Sequence, residues 1–483
     1  MGSYPHGRPP MSIASNAASI LRQPSATHRS WAVASLSLTL LLSSLGTSIA
    51  NVALPTFVDA FHASFQAVQW VVLAYLLAIT TLIVSVGRLG DLVGRRRLLL
   101  VGIGVFTTAS IACGMATALW ALVAARVAQG CGAAVMMALT MAFVGDAVPK
   151  ARAGRAMGLL GTMSAVGTAV GPTLGGVLLA ASGWRAVFFV AVPLGLIAFM
   201  FALRTLPPDR PAAVAHRTFD YAGSLVLALT LAAYALAMTL GHGHFGASNV
   251  ALLCAAIGGV GAFLVVESKA QAPLFRPALL LERVVGSGFA MSGLVTTVAM
   301  TTLVVGPFHL AGALHLEPAA IGLVMSAGPL VAALVGVPAG RGVDHFGARR
   351  MTIAGLAAMV TGCVALSWMP VAYGAWGYIA PLAVVTAGFA VFQAANNTAV
   401  MTGVDAAQRG VVSGLLNLSR NLGLVTGASV MGAVFSHAAG TDGLATASVG
   451  AVARGTHLTF GVAAMLVAAA LAIAVATMRH PGR

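Results

Sequence analysis

Residues Gly87–Leu100 read GRLGDLVGRRRLLL, a charged knot between two apolar runs, and Gly340–Met351, GRGVDHFGARRM, repeats its plan between two others. In each copy an acid, Asp91 or Asp344, follows a glycine by four residues. A second glycine, Gly94 or Gly347, comes three residues later, and arginines follow. Only 8% of the residues are charged, so two matched clusters ask for a common cause. Glycine permits a tight reversal between helices, and an acid there can sit by a helix N-terminus. The arginines can pair with that acid or with lipid phosphates. A hairpin duplicated in this way points to a membrane protein built from two related halves.

Working outward, the 483-residue chain is 59% hydrophobic, with a mean hydropathy of +0.94. A spanning helix takes about 20 apolar residues. Fourteen segments qualify, at 31–54, 66–86, 98–117, 119–142, 157–181, 186–203, 222–240, 248–266, 286–308, 319–339, 351–370, 377–401, 411–436 and 457–477. The net charge of +15 would suit nucleic acid, but its distribution excludes that reading. With the N-terminus inside, 22 of the 26 Lys and Arg fall in cytoplasmic segments. Arg185 and Arg454 fall outside, and Arg126 and Arg420 lie within helices. That asymmetry is the positive-inside pattern. It puts both termini in the cytoplasm and makes the expected location the inner (cytoplasmic) membrane. The polar residues 1–30 are expected to be a cytoplasmic tail, with no cleaved leader.

Cys113, Cys131, Cys254 and Cys363 all sit inside apolar segments without the spacing of a metal site. His242 and His244 in GHGHFG lack a neighbouring Cys or carboxylate, so a solvated loop is the better reading than a metal site. No GxxxxGK[ST], HExxH or GxSxG pattern occurs. The expectation is a protein that is not an enzyme and takes no cofactor and no metal.

Two basic connectors break the chain. Arg204–Arg217, RTLPPDRPAAVAHR, ends a first bundle at 31–203, and Glu267–Arg283, with Pro273 and Pro277, precedes a second at 284–483. The intervening region, 204–283, carries two extra helices. Each charged hairpin then falls between the second and third helix of its bundle.

Within segment 4, Arg126, Gln129 and Gly130 share one helical face. An Arg in mid-membrane costs about 2.5–3.5 kcal/mol or more. It should face a cavity, or hold helices together through backbone carbonyls. Segment 5 carries Gly167, Gly171 and Gly175 at i, i+4 and i+8, a stripe that admits another backbone, with Pro172 and Gly176 beside it. In segment 13, Asn417, Arg420 and Asn421 share a face. They line a cavity or bond between helices.

With these residues on the page, the chain resembles the major facilitator superfamily, specifically its fourteen-helix drug:proton antiporter branch, over most of residues 31–477. The first hairpin matches the superfamily's signature loop at Gly87, Leu89, Asp91, Gly94, Arg95 and Arg96, with Leu92 in place of the usual basic residue. Arg126 matches its helix-4 motif, implicated in proton transfer. Gly171-Pro172-Thr-Leu-Gly175-Gly176 resembles the antiporter motif. Further likenesses are Gln69-WVVLAYLLA, Trp184-RAVFFVAVPLG, Phe219-DYAG, Phe392-QAANNTAVM and Ser413-GLLNLSRNLGLVTGA.

The resemblance implies an all-α membrane protein with a major facilitator fold: two six-helix bundles plus two inserted helices, fourteen in all. It implies export of a small molecule, a hydrophobic or amphipathic drug, against inward proton flow by a lipid-embedded monomer. Asp91, Arg95 and Asp146 would form a gating relay on the cytoplasmic side, with Asp344 in the second copy. A cavity walled by Met136, Met137, Met163, Phe189 and Phe392 would suit varied apolar shapes, although the same residues suit core packing or lipid contact.

One departure matters. The branch usually has an acid in helix 1; here Leu45-GTSIANVALP has Gly46 at that place while keeping Asn51 and Pro55. All eleven acids fall in loops or at helix ends. Proton coupling must then use a helix-end acid such as Asp220, Asp146 or Asp91, or a histidine such as His309. Asp220 equally suits a charge at a helix N-terminus. The gap leaves room for an exporter of one specific metabolite or antibiotic. A Gly46→Asp substitution is expected to increase handling of cationic drugs.

Overall fold

The computed structural model describes residues 26–147, 150–206, 208–209, 221–239, 246–269, 282–402, 409–440 and 448–479. Asp220, His242, His244, and most of both basic connectors lie outside the described residues, as do the side chains of Asp91 and Asp146.

Apolar runs of this length leave every backbone amide to be satisfied within its own segment, which only helices or closed barrels achieve in lipid. The described residues are accordingly helical. They form α1 (Ala26–Ser48), α2 (Leu54–Phe61), α3 (Phe65–Val93), α4 (Arg95–Met115), α5 (Leu119–Ala147), α6 (Lys150–Ser182), α7 (Trp184–Phe189), α8 (Ala191–Thr205), α9 (Tyr221–Thr239) and α10 (Ala247–Lys269). The second half continues with α11 (Arg283–Gly312), α12 (Pro318–Phe346), α13 (Ala348–Trp368), α14 (Gly374–Thr402), α15 (Arg409–Thr426), α16 (Gly432–Ala439) and α17 (Val449–Arg479). A π-helical turn, Gly427–Met431, joins α15 to α16. Among the described residues, 12 helices are long and apolar enough to cross a membrane. Two of the fourteen expected segments, 157–181 and 222–240, coincide with shorter apolar stretches at Val166–Ser182 and Leu225–Ala237.

Packing repeats between the halves. In the first, α5 lies against α3 and α4, and α6 against α1. In the second, α14 lies against α12 and α13, and α15 against α11. The two repeats follow the same small-residue logic. A Cβ at Gly167, Gly171 or Gly175 would run into Leu41 or Ser48 of α1 or Ile49 just after it. Likewise Gly423 and the π-turn Gly427 leave no room for a Cβ beside Gly293 and Thr297 of α11. Between them, α9 and α10 pack on each other and α9 also touches α3.

The two halves meet along α6–α12 and along α3 with α15, the π-turn and α16. Gly176 of α6 has the backbone of Pro318 and Gly322 within contact, and Gly322 faces the Pro172 carbonyl. Phe65 of α3 packs against Phe308 of α11 and Phe435 of α16, with ring centroids 4.6 and 5.6 Å away. Gln66 donates to Ser436 Oγ and Gln69 to the Ala428 carbonyl, at 2.5 and 3.0 Å. Thr173 and Ser326 share a hydroxyl–hydroxyl bond. Phe65 opens α3 and Gly322 lies one turn into α12, whereas the charged hairpins follow the far ends of both helices. These contacts therefore belong to the end opposite the hairpins, or to the adjoining middle of the molecule.

Candidate functional site

Arg126, on α5, is fully buried. Its guanidinium donates from Nε to the Val71 carbonyl at 2.9 Å, from Nη2 to the Gly46 carbonyl at 3.1 Å, and from Nη1 to Gln129 Oε1 at 2.5 Å. Its Cζ lies 4.1 Å from the centre of the Tyr75 ring, close enough for the ring face to attract the cation. Gln129 passes its amide on to Ser110 Oγ at 2.7 Å, and the Tyr75 hydroxyl donates to the Ser43 carbonyl at 2.8 Å. One side chain thus ties α1, α3 and α5 together. Among the described residues every acceptor around it is neutral, so no described carboxylate meets the positive charge in this packed interior.

Gly46 itself is buried. A Cβ there would lie 2.9 Å from the Tyr75 hydroxyl and 3.2 Å from the Phe106 ring. The place where the resembled branch carries an acid is thus a filled wall directly on Arg126, rather than an open cavity. This changes the expectation for Gly46→Asp. The nearest cation to a new carboxylate would be the protein's own arginine. Asn51, also fully buried, donates to the carbonyls of Thr47 and Ser48, while its Oδ1 is buried without a partner.

The second intramembrane cation, Arg420 on α15, donates from Nη2 to Gln393 Oε1 at 3.2 Å and Asn397 Oδ1 at 3.3 Å on α14. Again the acceptors are neutral. Asn421 is half-buried beside it and Asn417 is exposed.

A cavity lies elsewhere among the described residues. It has a volume of about 250 Å³ and sits in mid-molecule between α6, α11, α12 and α14. Thr168, Thr302 and Thr386 supply its hydroxyls; Leu303, Met325 and Phe389 are prominent in its apolar wall. The residues expected at such a wall mostly do other work. Met136 and Phe392 are buried in packed cores, and Phe189 is 40% exposed. Met325 of α12 and Phe389, one turn before Phe392 on α14, supply the same chemistry there.

At the other end, Gly94 caps α4 with φ at +105°, a region open essentially to glycine. The backbone of Asp91 belongs to the last turn of α3. The acid that caps α4 is Asp209, from the connector after α8, which accepts from the amides of Arg96 and Arg97 at 2.7 and 3.1 Å. Arg96 also donates to the Leu203 carbonyl. In the second copy Gly347 has φ +83° and Asp344 is exposed.

Sequence reasoning missed Tyr75, Ser110, Asp209, Gln393 and Asn397 as parts of these networks. Gln393 and Asn397 stand in Phe392-QAANNTAVM, where three amides in an apolar helix are a signal for buried hydrogen bonding. Asp209 gives no such signal, since only the fold brings it to α4.

The sequence model of a family described as the Major Facilitator Superfamily matches residues 36–428 and 287–481. The chain is 32% identical over 415 residues to the drug efflux pump JefA of Mycobacterium tuberculosis, covering 82% of this chain and 80% of that protein. It is 29% identical over 397 residues to the riboflavin transporter RibZ of Clostridioides difficile, covering 82% and 86%. Among solved structures, a bacterial homologue of the human lysosomal transporter Spinster, inward-facing and unoccupied, superposes with a TM-score of 0.68 at 16% identity, covering 94% of this chain and 98% of that one.

Proposed function

This chain belongs to the Major Facilitator Superfamily, and on that premise we propose that it is a secondary active exporter of hydrophobic or amphipathic drugs, driven by proton antiport. The cavity between α6, α11, α12 and α14 carries this reading. Its volume of about 250 Å³ suits a small drug, and a mostly apolar wall with a few hydroxyls is what such ligands need. A Met and a Phe in that wall favour breadth of substrate, since Met repacks easily. The similar protein JefA is a drug efflux pump.

On this reading the two shorter apolar helices also span, giving fourteen helices in two six-helix bundles (31–203 and 284–483) with two inserted between them. The arginine-rich end faces the cytoplasm of the inner membrane with both termini, and the seam through Phe65, Phe308 and Phe435 closes the outer side. Alternating access rocks the halves. Asp91, Arg95, Asp146 and Asp344 then act as the cytoplasmic latch, Arg126 with Gln129 and Asn51 forms the rigid N-terminal wall, and Arg420 with Asn417 and Asn421 forms its C-terminal counterpart. Gly167, Gly171, Pro172, Gly175 and Gly176 form the surface on which α6 moves. Asp220 would complement the N-terminus of α9.

The test is growth protection of a transporter-deficient host across a panel of unrelated compounds. Protection against several, reduced by Phe389→Ala, is the expected result; sensitivity unchanged to all of them would sink the multidrug reading. Gly46 at the usual acidic position favours a second reading, export of one specific metabolite, and RibZ is a relative that carries riboflavin. Protection against a single compound would select it.

A further inference from the structure

Beside the cavity, at the end opposite the hairpins, α11, α14 and α17 hold the titratable groups His309, Tyr378 and His457 around a small pocket that also includes Thr456 and Met369. His309 is 7% exposed, within a helix long enough to span. Its Nδ1 lies 3.0 Å from Thr456 Oγ1, and the Thr456 hydroxyl gives its hydrogen to the Val452 carbonyl. With that hydrogen on the Val452 carbonyl, Thr456 accepts from His309, which makes the neutral ring the Nδ1–H tautomer with Nε2 as its open base. The same logic applies to His457, whose Nε2 faces the Met369 carbonyl at 3.0 Å; its Nδ1 is the open base. The pocket between them has a volume of about 10 Å³, room for one water molecule at about the lower limit.

On its other side His309 stacks on Tyr378, with ring centroids 5.8 Å apart and planes at 26°. The Tyr378 hydroxyl donates to the Thr302 carbonyl at 3.3 Å. Gly306 makes this possible, because a Cβ there would collide with that hydroxyl and with Met325 Sδ. Thr302 and Met325 both line the cavity. The chain of groups thus runs from the surface loop after α13 to the wall of the substrate site.

Among the described residues, the other ionisable groups at this end, on or next to elements packed against α11, are Asp59 of α2 and His62 after it, His315 after α11, Glu317 ahead of α12, His437 of α16 and Arg454 of α17. All six are exposed. None of the described residues that line the pocket is a carboxylate. Histidine is the side chain whose ordinary titration lies between about pH 5 and 8.

We propose that His309 is the membrane-embedded proton site of this transporter, reached from outside past His457 and coupled to the substrate cavity through Tyr378 and Thr302. The proposal rests on the antiport reading. A proton from the outer solution passes through the pocket and binds Nε2 of His309, making an imidazolium whose Nδ1–H still holds Thr456. The bond from Tyr378 ends on Thr302, so proton and substrate occupancy press on the same residue from opposite sides. The proton leaves Nε2 as the halves open toward the cytoplasm. This supplies in the second half what Gly46 withholds in the first.

The test uses the full chain in proteoliposomes with radiolabelled chloramphenicol, a neutral amphipathic probe, with and without an imposed pH gradient. Wild type is expected to move the probe faster under the gradient. His309→Gln should lose that acceleration by tenfold or more while exchange at equal pH stays within twofold. Acceleration retained in His309→Gln overturns the proton site alone; wild-type transport indifferent to the gradient overturns the antiport reading together with it. A second measurement needs neither substrate nor variant. In histidine-labelled wild type, the ring nitrogen signals of His309, identified by its contact with Tyr378, should pass from the neutral to the doubly protonated ring as the pH is lowered while the protein stays folded. A ring fixed in one state throughout overturns the proposal.

Discussion

Arg126 shows how far single residues can be read. Its burial in an apolar helix was legible, since a lone Arg in such a segment must find acceptors or a cavity. That it finds them in the carbonyls of Gly46 and Val71 was not, because those acceptors come from two other helices and carry no side-chain signature. Among the described residues, Gln129 is the one side-chain acceptor on Arg126. Gln129→Leu strands a charged donor, a loss of about 1.5–3 kcal/mol by the usual worth of a hydrogen bond to a charged group. Thermal unfolding in detergent should show a lowered midpoint, with Gln129→Glu at or above wild type because it adds a counter-charge. Gly46→Asp follows from the same contacts. The new carboxylate pairs with Arg126 and displaces the Tyr75 hydroxyl, so export of cationic drugs should stay within about twofold of wild type, within the 1.4 kcal/mol that a factor of ten requires. A tenfold gain in cation export would show the carboxylate facing the cavity instead.

At the scale of elements, the charged hairpin was legible as a turn and as one of a pair, and Gly94 and Gly347 are its positive-φ residues. Its partner was not legible. Asp209 lies more than a hundred residues beyond Arg96, in a connector whose prolines and charges say only that no helix continues there. Asp209 satisfies the first-turn amides of α4, a role that costs about 0.5–2 kcal/mol when lost. Because α8 ends just before it, the same carboxylate also ties α8 and its connector to the hairpin. Asp209→Ala should therefore lower the unfolding midpoint and expose the connector to limited proteolysis. Gly94→Ala should cost about 1–3 kcal/mol in backbone strain, and its Cβ would meet Asp209 Oδ2. Both changes break one contact, so the double variant should be clearly less destabilised than the sum of the singles. Additive losses would place Asp209 outside the hairpin's energetics.

For the whole molecule, the hydropathy pattern carried most of the architecture, because lipid leaves few alternatives to helices and duplication dictates how they pair. Which end of the two halves is closed depends on contacts such as Phe65 with Phe435 and Gln69 with Ala428. These are ordinary apolar and amide residues until the fold juxtaposes them. The closed seam nevertheless makes a prediction that no reading of segments could. Thr173 on α6 and Ser326 on α12 already touch through their hydroxyls, so cysteines at both positions have the short reach a disulfide requires. In a chain with the exposed Cys254 replaced by Ser, oxidation of Thr173→Cys/Ser326→Cys should join the halves at this seam. If transport requires the seam to part, turnover should fall at least tenfold on oxidation and return on reduction, while either single variant is unaffected. A cross-linked protein that still transports at full rate would mean that α6 and α12 stay together throughout the cycle, and that the halves separate along α3 and α15 alone.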